Sequence, residues 1–428
     1  MKLLIKNGRV IDPSNKIDKI YDILVVGDKI TKIGKNIKEH SSDTTVIDAK
    51  NMIVVPGIID VHTHLREPGH EEEETIATGT KSAAAGGITT ILCMPNTHPV
   101  IDNQTAVEFI LLKAKNEGSV NVYPIGAVTK GSLGEELTEI GELKKAGVVA
   151  ISDDGNCIMN ALIMRRALEY ASMFDLPVVS HCEDINLSKN GVMNEGEISI
   201  KLGLKPIPKE SEEIIVARDI ILSRLTGGHL HIAHVSTKGA VELVREAKRN
   251  NINVTAETCP QYFTLTDEAV MSYDTNTKIK PPLRTREDID AIINGLKDGT
   301  IDCIATDHAP HTIEEKNKEY ELAPFGIIGL ETLIPLVITY LVNKKRLSLR
   351  DVISKLTVNP AKIFGLEKGN LSIGSIADIT IIDLNKEQVI KDNFVSKSKN
   401  SPFIGWKLKG FPVYTIVSGK IVYNSNQK

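Results

Sequence analysis

Ile58-Ile-Asp60-Val-His62-Thr-His64 is the stretch from which the fold is read. It is a short apolar run of strand length that ends in two histidines spaced two apart. Side chains two apart on a strand point to the same side, so His62 and His64 can face one point and hold one metal ion. Seven further apolar runs follow, at 89–94, 122–126, 148–152, 177–181, 229–235, 253–257 and 301–307. Helical patterns lie between them at 108–116, 164–173, 217–225, 240–250 and 286–296. Buried strands alternating with amphipathic helices predict an α/β fold with a parallel sheet covered on its outside. Eight strands is the count that closes a (β/α)8 TIM-type barrel.

The polar signals sit at the C-terminal ends of these runs, where such a barrel carries its chemistry. His181 closes the fifth, and the sixth holds His229, His231 and His234. Strand alternation puts His234 on the face of Leu230 and Ile232, so His234 is read as a ligand, with His231 as the alternative. The fourth run ends in Ser152-Asp153-Asp154-Gly155, and no lysine nearby could be carboxylated to bridge two ions. A carboxylate from Asp154, or else Asp153, takes that place, although an acidic pair before glycine also suits a plain turn. Asp307, in Thr306-Asp-His-Ala-Pro-His311, is suited to take a proton from water and return it to a leaving nitrogen. The long polar segment 311–326 predicts a mobile lid.

The chain has 428 residues, 41% hydrophobic and 25% charged, an ordinary globular mixture. That length exceeds the roughly 250 residues of one barrel, which leaves room for a second unit. Short β-rich runs at 2–6, 22–26 and 29–33, read as an antiparallel meander, return in kind at 377–383, 413–417 and 420–423. They predict a composite β-sandwich from both termini, 1–54 plus 367–428, around a catalytic barrel at 55–366. The net charge of −4 is spread along the chain, which argues against a nucleic-acid partner. Lys6 and Arg9 interrupt the first apolar residues, and Pro335 breaks the longest apolar stretch. No signal peptide or membrane span is therefore expected, and the cytoplasm is the expected location. Five scattered cysteines without a Cys-x-x-Cys pair read as reduced thiols.

Several strings occur in order along nearly the whole chain: Pro56-Gly-Ile-Ile-Asp-Val-His-Thr-His-Leu-Arg66-Glu-Pro-Gly, Met94-Pro-Asn96-Thr, Ser180-His-Cys-Glu-Asp184, His234-Val-Ser-Thr-Lys238, Ala305-Thr-Asp-His-Ala-Pro-His311 and Ala323-Pro-Phe-Gly326. Together they resemble the amidohydrolase superfamily, and within it the longer, class I bacterial dihydroorotases. The resemblance implies zinc, one or two ions with two favoured. His62, His64 and Asp154 would hold one ion, and Asp154, His181 and His234 the other, with Asp307 beside them as general base and acid. It implies Arg66, Asn96, Lys280, His311, Phe325 and Gly326 around the substrate. Arg66 has the planar fork that suits a carboxylate. The implied reaction is reversible hydrolysis of L-dihydroorotate to N-carbamoyl-L-aspartate in pyrimidine synthesis. A homodimer, or association with aspartate transcarbamoylase, is implied by the same resemblance.

Two features depart from that pattern. Lys280 precedes Pro281-Pro-Leu-Arg284 where the family usually has Asn, and Glu257-Thr-Cys-Pro-Gln-Tyr262 reads like the hydantoinase and allantoinase branches. Those cyclic amidases, the dihydropyrimidinases among them, are the alternative enzymes. They typically use a carboxylated lysine, which 151–154 lacks, and they lack the arginine two residues after the histidine pair. A non-catalytic barrel acting as a scaffold for the transcarbamoylase is the alternative of another class, and the six filled ligand positions weigh against it.

Overall fold

The computed structural model describes residues 2–39 and 43–426; the outermost positions of the expected terminal unit, 1 and 427–428, lie outside the described residues. Its centre is a ring of eight parallel strands. In chain order these are Ile58–Thr63, Ile88–Cys93, Asn121–Pro124, Ile151–Ser152, Val178–Ser180, Leu230–Ile232, Val254–Thr258 and Cys303–Ile304. Strands one to three pair continuously, as do strands four to eight. Single parallel bridges close the two gaps, Gly126 to Ile151 and Thr63 to His308. The second seam carries a further lock. Asp60 in strand one accepts from Thr306 N at 2.8 Å and from the Thr63 and Thr306 hydroxyls at 2.6 Å each.

The first two strands are buried at every position, as strands covered by helices on one side and filled side chains on the other must be. Their apolar residues join one large core that includes Ile59, Ile91, Val179, Ile232, Ala256 and Ile304. One helix escapes the periodicity argument altogether. Ile76–Ala85 has Ile76 as its one large apolar residue among Ala, Gly, Thr, Ser and Lys, so it shows no apolar stripe, and it starts because Thr75 and Thr78 cap each other's backbone.

The two ends of the chain form one eight-stranded sheet with its own core, centred on Leu3, Ile5, Ile23, Val25, Ile379 and Ile416. Strand Ile53–Pro56 pairs antiparallel with Ile379–Val389, which joins the N-terminal strands to the C-terminal ones. The first three strands are an antiparallel meander, but the next two run parallel to the first strand. The first strand, Lys2–Asp12, is long enough to pair with Thr44–Asp48 along its first half and with Ile53–Pro56 beyond it. Gly8 lies between the two pairings, where a Cβ would meet Val54 Cγ2 at 2.5 Å. Pro56, the last residue of the sheet strand, is separated from the first barrel strand by Gly57 alone, so the sheet fixes where the barrel begins. Among the described residues no helix is long and apolar enough to cross a membrane.

Candidate metal centre and substrate cavity

Each proposed ligand sits at or just past the end of a barrel strand. His62 is within the first and His64 one residue beyond it. Asp154 lies two residues past the fourth, His181 one past the fifth, His234 two past the sixth and Asp307 three past the eighth. The reason given for choosing His234 does not survive, although the residue itself is at the centre. Regular strand geometry stops at Ile232, and His234 has φ 34°, so alternation does not reach it. A left-handed turn brings its ring inward instead. Asp307 likewise has φ 51°.

The distances describe two groups sharing one carboxylate. Asp154 Oδ2 is 3.3 Å from His62 Nε2 and 3.5 Å from His64 Nε2. Asp154 Oδ1 is 3.6 Å from His181 Nδ1 and 3.5 Å from His234 Nε2. Asp307 Oδ1 adds a third partner to the first pair, 3.2 Å from His64 Nε2 and 3.5 Å from His62 Nε2. Tetrahedral ligands about 2.0–2.1 Å from a shared zinc ion stand about 3.3 Å from one another. These separations lie close to that edge, and the contact that falls short of it is between two rings, His181 Nδ1 to His234 Nε2 at 2.8 Å. His62 Nε2 and Asp154 Oδ1 are buried without a hydrogen-bond partner among the described residues, so the donor set fits a metal on an observation independent of spacing.

The electrostatics agree. Burial works to raise the Asp154 carboxyl, yet His62, His181 and His234 outweigh it and hold it well below the usual carboxylate range. Burial works to lower His181, but Asp154 and Glu183 raise it to about 9. A metal ion would displace the proton that the His181 imidazole holds.

Asp153 is not part of this centre. Its carboxylate accepts from the backbone N–H groups of Val128 at 2.8 Å and Thr129 at 3.0 Å, which ties the end of strand four to the loop after strand three. His231 is also elsewhere, fully buried inside the barrel beneath the cluster. There it meets Glu257, whose other oxygen lies 2.6 Å from His62 Nδ1. Glu257 thus orients His62 from behind, and burial, which would raise its carboxyl, is outweighed by His62 and His231, which bring it to about 2. The sequence reading noticed the 257–262 string as a branch signature and missed this carboxylate. Glu183 does the same from another side, at 3.2 Å from His181 Nε2.

Above the cluster lies a cavity of about 360 Å³, lined by His64, Asp154, His181, His234 and Asp307 and by all six residues assigned to the substrate. Arg66 and Lys280 bring positive charge to its wall. Lys280 Nζ stands 2.8 Å from Glu183 Oε2 and 5.5 Å from the Phe325 ring centre, so the same glutamate holds both the lysine and His181. Asn96 Oδ1 lies 2.8 Å from His64 Nδ1, which turns its amide nitrogen towards Gly155 and the cavity. The 311–326 segment is strapped down. Lys316 Nζ donates to Pro324 O at 2.9 Å and Gly326 O at 3.0 Å, and Lys278 Nζ donates to Glu321 O at 2.9 Å. Asn400, from the C-terminal part of the chain, donates to Ala309 O and Gly326 O and accepts from His311 N.

An eight-stranded ring closed by its two bridges, presenting four imidazoles and two carboxylates at its C-terminal end, defines a metal-dependent amidohydrolase. Residues 51–240 match the Dihydro-orotase-like family model, and 297–423 match the Amidohydrolase family model. A dihydroorotase of Endomicrobium trichonymphae is 61% identical over 99% of this chain and 100% of its own length. One from Acetivibrio thermocellus is 57% identical over 98% of each chain. The chain belongs to the dihydroorotase family. Among solved structures, the L-hydantoinase (dihydropyrimidinase) of Arthrobacter aurescens superposes with a TM-score of 0.87 at 28% identity, covering 99% of this chain and 96% of that one. The dihydropyrimidinase of Brevibacillus agri NCHU1002 gives 0.87 at 27%, covering 100% and 96%. Over the whole chain the identity to these cyclic amidases, 28% and 27%, is about half that to the dihydroorotases.

Proposed function

We propose that this chain catalyses the reversible hydrolysis of L-dihydroorotate to N-carbamoyl-L-aspartate. The observation that carries the reading is the placement of Asp154, one oxygen towards each histidine pair, at the floor of a cavity whose wall bears Arg66. In this reading His62, His64, Asp154 and Asp307 would hold one zinc ion, and Asp154, His181 and His234 would hold a second. Zinc bound there supplies Lewis acidity, polarising the ring amide carbonyl and lowering the pKa of water from about 15.7 towards 7.

The chain's own residues do the rest. Asp307 accepts the proton of the attacking water at a carboxylate oxygen and delivers it to the departing ring nitrogen. His62 and His64 outweigh burial and keep its carboxyl low, so it starts ionised and ready to accept. Arg66 binds the substrate carboxylate with its planar fork, helped by the Asn96 amide. Lys280, held by Glu183, adds a second positive group in place of the usual asparagine. His311 and the backbone of Phe325 and Gly326 close the cavity and exclude water. The chemistry falls to residues 55–366, and the composite unit of 1–54 and 367–428 reaches it through Asn400.

The test is turnover by the purified, zinc-loaded protein on dihydroorotate, hydantoin and allantoin side by side. Dihydroorotate is expected to be preferred. Faster hydrolysis of either of the others would overturn the reading.

A further inference from the structure

Four consecutive glutamates, Glu71 to Glu74, look like a solvated charge run, but the structure splits them. Glu71 and Glu72 are exposed, whereas Glu73 is 6% exposed and Glu74 fully buried. Glu73 spends its two oxygens on two different residues of the cavity wall. Oε2 lies 2.6 Å from Arg66 Nε, and Oε1 lies 3.1 Å from His311 Nδ1. Arg66 and His311 also touch each other, Nη2 to Nε2 at 3.3 Å. The guanidinium is gripped along its Nε edge, where the Pro310 carbonyl also accepts at 3.1 Å, and the remaining group lines the cavity.

The backbone is arranged around this contact. Arg66 has φ 64°, a left-handed conformation that a residue with a side chain adopts at a cost, and its side chain lines the cavity. Glu73 itself stands on a fixed loop, its N–H bonded to His70 O at 3.0 Å and its carbonyl accepting from Ser398 Oγ at 2.7 Å. An isolated buried guanidinium would be costly and free to swing. One carboxylate shared with His311 removes both problems.

We infer that Glu73 is a positioning residue that sets the orientation of Arg66 and His311 for the carboxylate of the substrate. The inference rests on the proposed role of Arg66 as carboxylate receptor. Glu73 touches no reacting atom, so its loss should weaken binding shared by ground and transition states rather than the chemical step.

The experiment compares Glu73→Ala, Glu73→Gln and the exposed control Glu72→Gln in the zinc-loaded protein. Glu73→Ala is expected to raise KM for dihydroorotate roughly 10-fold or more, with kcat within about threefold of wild type. Glu73→Gln should fall between, because a carboxamide offers one acceptor where two N–H groups need one each. If the alanine variant does not fold, the glutamine variant gives the same readout. Inhibition by N-carbamoyl-β-alanine, which lacks the carboxylate that Arg66 would hold, should be unchanged within about twofold. A merely structural glutamate would weaken both ligands alike, and that result, an unchanged KM or a loss in kcat alone overturns the inference. A wild-type protein inactive on dihydroorotate would instead sink the functional reading beneath it.

Discussion

Asp153 and Asp154 are neighbours in sequence and face opposite ways: Asp153 takes two backbone N–H groups of the preceding loop, and Asp154 stands among four imidazoles. By pinning the strand end to Val128 and Thr129, Asp153 fixes the turn that aims Asp154 at the barrel axis.

The two positions should therefore separate cleanly under mutation. Asp154→Asn removes the charge shared by both histidine pairs, and the purified protein should lose bound zinc and more than about 99% of its turnover. Asp153→Asn should keep zinc but lose roughly 1–3 kcal/mol of stability, because a carboxamide cannot accept everywhere a carboxylate does. Zinc analysis and denaturant unfolding distinguish the outcomes, and retention of metal by Asp154→Asn would contradict the ligand set.

Glu257 lies 2.6 Å behind His62, on the side away from the cavity. Glu257→Gln preserves its size while weakening its hold on the imidazole. Zinc affinity, measured by competition with a chelator, should fall about 10- to 100-fold. Affinity equal to wild type would mean that His62 is oriented by packing alone.

Lys316 gives a pH signature independent of the metal. Burial and the neighbouring charge of Lys278 lower its ammonium to about 7, against opposing pulls from Asp274 and Glu315. The folded value lies below the unfolded value of about 10.4, so between those limits the unfolded chain carries the extra proton. Stability contributed by this lysine consequently rises with pH across the window. The melting temperature of wild type relative to Lys316→Met should climb from pH 7 to pH 9.5. A flat difference would show that the ammonium sits in the folded protein as it does in water.

Asp60 serves the seam between strands eight and one, where the ladder is a single bridge. Asp60→Ala leaves the Thr63 and Thr306 groups without their acceptor inside the core, and it should cost about 3 kcal/mol or more. Unfolding in urea measures this. A cost below about 0.5 kcal/mol would mean the seam holds without the carboxylate.

The barrel is legible because its strands are covered on both faces, which leaves eight short runs rich in apolar residues, and its chemical groups sit where those runs stop. The helix Ile76–Ala85 is not, since Ala, Gly and Thr leave no stripe to detect. Nor is the parallel pairing in the terminal sheet, which depends on how far the first strand extends past its first partner. His234 was chosen by alternation, a rule that stops applying two residues before it. The burial of Glu73 and Glu74 was invisible for a deeper reason. Four identical side chains carry no local difference, and one of the two side-chain partners of Glu73 lies 238 residues away.

The two single-bridge seams place the metal cluster in a second light. His62, His64 and Asp307 straddle one seam, and Asp154 stands at the strand end that forms the other. Cations held by these side chains would rivet the ring at its weakest joints, each adding RT ln(1 + [L]/Kd) to the free energy of unfolding. The concentration of free ion around the protein would then govern how long the molecule survives as well as how fast it works.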